Sequence, residues 1–291
     1  MKDCFSRFHP AVNGLYFLLV LGISMTVFHP VVLAISLGCA LVWSARLGGG
    51  FRPVTLLAVA LLAAGFNPLF NHEGATILGY WPSGNPLTLE SVLYGGGTAL
   101  MLLAALGWFS CLNRVMTADK WMCLVGRALP TLSLLLSMTL RLVPRFRARL
   151  EEIRRGQRSL GRAEGGGVRQ RAGQGIRALS ILVTWSLEDA VTTADSMGSR
   201  GYGLSGRTAY TTMKLGKRDR EALLFLVCAG GYLLLMALRG TLYWRYYPTV
   251  KWAGFDLWAL SAYGVWLALC AMPIYLDVKE ERDWKRIVSN M

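Results

Sequence analysis

The stretch ADSMGSRGYG (194–203) closes a helical pattern on one arginine, Arg200, followed at once by Gly201. A guanidinium is planar, permanently charged and forked, so it can pair with a carboxylate through two parallel hydrogen bonds. At the tip of a rigid helix it can enter a groove on a soluble partner, and small neighbours such as Ser199 and Ala194 permit close approach. A second cationic tip lies upstream in RRGQRSLG (154–161), where Arg155-Gly156 and Arg158 with Gly161 offer the same chemistry. Removing one member of a desolvated ion pair costs about 2–5 kcal/mol. A cation at a helix C-terminus also gains about 0.3–1 kcal/mol from the helix dipole. Residue type alone therefore leaves docking and helix stabilisation both open.

Other chemistries find less support. GYGLSGRT (201–208) approaches a phosphate-binding glycine loop, but Arg207 stands where lysine belongs. Such a loop also needs a strand before it and a helix after it, and here a helical pattern precedes. His9, His29 and His72 are far apart, and the six cysteines form no paired motif, so neither a metal site nor a disulfide framework is indicated. No nucleophile–base pair or carboxylate cluster recurs. Glu151, Glu152, Glu188 and Asp189 are expected to balance neighbouring arginines. The chain reads as a non-catalytic protein without a cofactor.

The elements that must carry these tips are helices. Ser186, with Asp189 three residues on, reads as an N-terminal cap. Ala190, Ala194 and Met197 recur at helical spacing, and Gly201 suits the left-handed residue that ends a helix. Upstream, residues 127–161 are helical in pattern, with an apolar stretch at 128–140. That stretch is shorter than the 20 or so residues of a membrane span and suits a helix partly inserted in a membrane or facing a partner. Pro144 is expected to kink or restart the helix. Beyond it Leu142, Phe146, Leu150 and Ile153 share one face while arginines accumulate on the rest. GRAEGGGVRQRAGQG (161–175) reads as a flexible joint, with a second helix starting near Ile176.

The whole chain has 291 residues, is 54% hydrophobic, and has a mean hydropathy of +0.40. Apolar segments near 11–28, 31–45, 54–70, 91–111, 222–238 and 252–275 predict an all-α, polytopic integral membrane protein of about six spans, with a cytoplasmic pair of coupling helices. Four regions follow: membrane helices in 1–111, the coupling region in 112–221, membrane helices in 222–276, and a tail in 277–291. The net charge of +14 first suggests nucleic acid. With both termini in the cytoplasm, however, only Arg239, Arg245 and Lys251 lie outside, leaving 28 of the 31 Lys and Arg inside. The positive-inside rule then accounts for the charge, and the bilayer replaces nucleic acid as the expected partner. YWRYYPTVKW (243–252) reads as an aromatic interfacial belt. No signal-peptide cleavage site ends the first apolar run, so a retained first helix is expected.

With these segments in place, the chain resembles the transmembrane T component of energy-coupling factor (ECF) transporters, the cobalt-permease-like family. HPAVNGLYFLL, NPLFNHEGATIL, LSMTLRLVPRF, GQRSLG and, most specifically, SLEDAVTTADSMGSRGYG carry the likeness over nearly the whole chain. The resemblance implies a scaffold in a prokaryotic cell membrane that couples transport to two ABC-type ATPases, a homo- or heterodimer. It also implies a membrane-embedded S component that binds the substrate, a vitamin or metal ion. Two Ala-Arg-Gly-like motifs would dock into the ATPases. Arg200 and Gly201 match the second, with Ser199 at the usual alanine. For the first motif, aligned at Gly156–Gly161, Leu160 occupies the arginine position, so either Arg158 substitutes or Arg155-Gly156 serves in a shifted register. The alternative is a self-sufficient permease. Such proteins usually carry ionisable residues within their spans, whereas here Glu90 and Asp256 sit only near span ends.

Overall fold

A computed structural model describes residues 4–48, 53–80, 85–160, 167–204, 215–252, 254 and 256–289. Among these, nine α-helices dominate: α1 Pro10–Thr26, α2 Pro30–Arg46, α3 Pro53–Phe70, α4 Leu89–Val115, α5 Ala118–Ala128, α6 Pro130–Ser159, α7 Val168–Ser199, α8 Lys217–Leu238 and α9 Leu257–Ser289. A single 3-10 turn, Phe5–Arg7, precedes α1. Two small antiparallel hairpins complete the chain. One pairs β1 (Ile77–Tyr80) with β2 (Pro86–Thr88), and the other pairs β3 (Trp244–Arg245) with β4 (Lys251–Trp252). Two compact units result: residues 1–120 with 213–291, and residues 121–212.

The first unit holds a helix at each of the six predicted apolar segments. α4, α8 and α9 are long and apolar enough to cross a membrane. α1 and α2 are apolar but have 17 residues each, about 25 Å of helix against a hydrocarbon core of about 30 Å. Sequence punctuation explains several boundaries. Pro10, Pro30 and Pro53 open α1, α2 and α3, where a missing N–H costs nothing. His9 and His29 cap α1 and α2, each ring accepting from the backbone N–H two residues on, at 3.2 and 3.3 Å.

α4 packs against α1, α2 and α3, and glycines let it approach closely. A Cβ built on Gly95 would lie 2.4 Å from the Ala64 carbonyl oxygen, and one on Gly107 would lie 2.9 Å from the Ala40 Cβ. Small residues at such crossings allow backbones to approach where lipid removes the hydrophobic drive between helices. Phe5, Tyr16, Phe17, Trp43 and Trp108 fill the space between, all buried, in mostly edge-to-face contacts. Ser36 satisfies two of the buried polar groups: its hydroxyl lies 2.8 Å from that of Ser24 and accepts from Trp108 Nε1 at 2.9 Å.

The N-terminal turn is bound to helices far along the chain. Asp277 on α9 accepts from the Cys4 N–H at 3.0 Å and from the Trp43 indole at 3.3 Å. Glu280 pairs with Arg7 at 2.8 Å. On α8, Arg218 donates to the Cys4 sulfur at 2.7 Å and lies 4.4 Å over the Phe8 ring. The neighbouring Asp219 accepts from the His9 N–H at 3.0 Å. Lys120, nearly buried, donates to the carbonyls of Ser6 and Val115 at 2.5 and 2.8 Å.

The second unit differs from the sequence reading in three local respects. α6 does not restart at Pro144; the helix runs through it. Pro144 removes one N–H from the ladder, and the helix continues on the bonds either side of it. α7 begins at Val168, so residues 168–175 are helix rather than joint. Gly173 and Gly175 each cost about 1 kcal/mol, but they stand among good helix formers within a long helix. Ser186 is not a cap: it lies in mid-helix, and its hydroxyl donates back to the Leu182 carbonyl at 2.6 Å. The two hairpins were not foreseen; their strands have only two to four residues.

Candidate functional site

α6 and α7 form a helical hairpin. Arg145 pairs with Asp189 at 3.8 Å, and four residues further along α6, Arg149 stacks 4.8 Å over Trp185, four residues back along α7. Opposite chain directions at successive contacts make the pair antiparallel. The predicted inner face of α6 is the one turned inward: Leu142, Phe146 and Leu150 are half-buried and Ile153 is buried. Asp189 and Glu151 balance arginines as expected, Glu151 through a 3.6 Å pair with Arg155. That last pair is exposed and contributes little.

The end of α7 is built by its own backbone. Arg200 caps the helix at φ −87° and ψ 9°, and Gly201 follows at φ +77°. The Tyr202 N–H donates to the Met197 carbonyl at 3.0 Å, and the Gly201 N–H to the Gly198 carbonyl at 3.0 Å. These two bonds define a Schellman ending, which requires a left-handed residue at Gly201. A Cβ there would also meet Leu204 at 3.1 Å. The ending satisfies the terminal carbonyls without using the Arg200 side chain. Arg200 is exposed, and among the described residues no side chain pairs with it. Ser199 turns its hydroxyl back to the Ser196 carbonyl at 3.0 Å, while Ala194, also exposed, lies about a turn and a half earlier. The result is a rigid tip that presents a guanidinium among small side chains.

The other predicted site residues sit elsewhere. Arg155, Gly156 and Arg158 occupy the last turn and a half of α6, all exposed. Gly161 lies outside the described residues, as do positions 205–208 of the glycine-rich segment. From the shared contact at Arg145 and Asp189, Arg158 lies about 20 Å along α6, and Arg200 lies about 17 Å the opposite way along α7. The two arginine groups are therefore not one site. They are two tips, at opposite ends of one hairpin.

Two features escaped the sequence reading. Arg145 and Arg149, four apart, meet Trp185 and Asp189, four apart; this shared spacing sets the hairpin's register and was legible only as a possibility. Glu90, placed simply near a span end, is buried and accepts from the Thr76 N–H at 3.3 Å and the Thr76 hydroxyl at 2.9 Å. Gly74 makes room for it, since a Cβ there would lie 2.6 Å from the carboxylate. No family model matches the chain, and no curated protein matches it.

Proposed function

We propose that this protein is the transmembrane coupling subunit of an ECF-type importer in a prokaryotic cell membrane, with both termini cytoplasmic. In this role it catalyses nothing. Two ABC-type ATPase subunits each receive one helix tip, the Arg200 tip of α7 and the Arg155–Arg158 tip of α6. ATP binding draws the ATPases together, the hairpin transmits that motion, and the membrane helices reorient a substrate-binding S component carrying a vitamin or metal ion. The observation that supports this reading best is the separation of the tips. Two cationic ends pointing apart on one hairpin suit two sockets on a dimeric partner. The self-closing end of α7 adds to it, because it leaves Arg200 unused by its own helix.

The test is capture of the partner ATPases by the full-length chain, wild type and Arg200→Ala. Loss of a desolvated guanidinium–carboxylate pair lowers capture at least about thirtyfold. Arg155→Ala and Arg158→Ala decide which arginine serves the other tip. Capture and transport unchanged by Arg200→Ala would remove the docking role. Transport by the isolated chain would favour the self-sufficient permease.

A further inference from the structure

One ridge of α6 changes character along its length. Leu129, Leu132, Leu136, Leu140 and Val143 follow one another at three- and four-residue steps, so they line one side of the helix, and all five are exposed. The same steps continue to Arg147, Arg154 and Arg158, also exposed. The ridge thus switches, on a single face, from aliphatic to guanidinium. It is distinct from the inner face that meets α7.

Along α6 itself the charges that follow the aliphatic half have one sign. From residue 129 to residue 150 the only charged residues are Arg141, Arg145, Arg147 and Arg149; the acidic residues alongside, Asp189 and Asp195, belong to α7. α7 offers a contrast. It too exposes an apolar ridge, Ile176, Leu179, Val183, Leu187 and Val191. But its charges are mixed: Arg177 stands beside Ile176, and Glu188, Asp189 and Asp195 follow. An acidic surface is attracted by the α6 ridge and gains less from the α7 ridge.

We propose that the first half of α6 seats in the headgroup and upper acyl region of an anionic bilayer leaflet. Leu129–Val143 dips into the lipid, and Arg147 and Arg154 meet the lipid phosphates where the helix rises out. An aliphatic stripe about 21 Å long cannot span a bilayer but can lie obliquely in its surface. Arginine stems lie along apolar surface while their heads reach phosphate. The anionic leaflet thereby becomes a ligand of the hairpin. This inference stands apart from the ATPase reading, because it needs only a membrane.

The experiment uses the full-length chain in nanodiscs of phosphatidylcholine alone or with added phosphatidylglycerol, without ATPases. Single-cysteine variants carry a fluorophore at Leu136→Cys, Arg154→Cys or Asp195→Cys, and lipids brominated in the acyl chains serve as quencher. Quenching is expected to be strong at 136, weak at 154 and absent at 195, and to rise with phosphatidylglycerol. Arg147→Gln or Arg154→Gln in the 136-labelled chain lowers the ratio of seated to free helix about fivefold each. Hydrogen exchange on the unlabelled wild type is the check that needs no substitution: amides of 130–143 slow when phosphatidylglycerol is added. Quenching at 136 no greater than at 195, or indifference to phosphatidylglycerol in both measurements, overturns the proposal. Protection of 136 that appears only with ATPases, without quenching by lipid tails, overturns it in favour of a protein partner.

Discussion

The two units differ in how much apolar side chain they enclose, although both expose a good deal of it. In the first, Trp43, Trp108, Trp266 and Tyr16 are fully enclosed, and glycines are spent on bringing helices together. In the second, Ile153 and Ala178 alone are buried among the described residues, while leucines and valines line the outer ridges of α6 and α7. Contiguous exposed apolar surface marks a place where something binds. The first unit carries its own core beneath an outer surface that is also apolar; the second is nearly all outer surface. Burial thus separates a body from a hairpin that reports on its surroundings.

Matched truncations test this contrast most severely. Trp108→Ala, at 0% exposure, removes the largest side chain between α4 and α2 and is expected to cost about 3–5 kcal/mol. Leu187→Ala, at 64% exposure, is expected to cost less than about 0.5 kcal/mol in the isolated chain. Thermal unfolding of both variants in detergent measures the difference, and equal losses would erase the distinction between the units.

Asp277→Ala probes whether the first unit's order extends to the N-terminal turn. It leaves the Trp43 indole and the Cys4 amide without their acceptor, an expected loss of about 2–3 kcal/mol. Limited proteolysis should then cut near Phe8, and an unchanged digestion pattern would show that the turn is held by packing alone. In the second unit Gly201→Ala is a smaller, local lesion. It forces an L side chain into the left-handed region at an expected cost of about 1 kcal/mol. Hydrogen exchange should quicken at Gly201 and Tyr202 and nowhere in the first unit.

The smallest effect is one of pH. Burial holds the His29 imidazole below its ordinary value of 6.5, because the charged form is poorly solvated beside Tyr263 and Trp244. The unfolded chain therefore takes up the proton first. Stability is retained above about 6.5 and declines as pH falls through the lowered folded value. His29→Gln should flatten that acid limb, and an unaltered limb would assign it to other groups.

Much of the architecture was legible from residue order. The six apolar helices, the breaks at His29-Pro30 and before Pro53, the inner face of α6 and the glycine ending of α7 all follow from short-range rules. Each rule needs only residues within a turn or two of one another. Ser186 and residues 168–175 mark where such rules lose. In a long helix, propagation adds a bond per residue, and a single unfavourable position is carried along.

Thus the sequence by itself determined where helices form and that Arg200 ends one of them. Tertiary structure alone decided that Arg200 and Arg158 stand at opposite ends of a hairpin, because that depends on which residues of α6 meet which of α7. It also decided that Cys4 and Phe5, near the start of the chain, lie against Asp277 and Trp43. Contacts between residues so far apart in the chain leave no local periodicity to read. They exist only once the helices have packed.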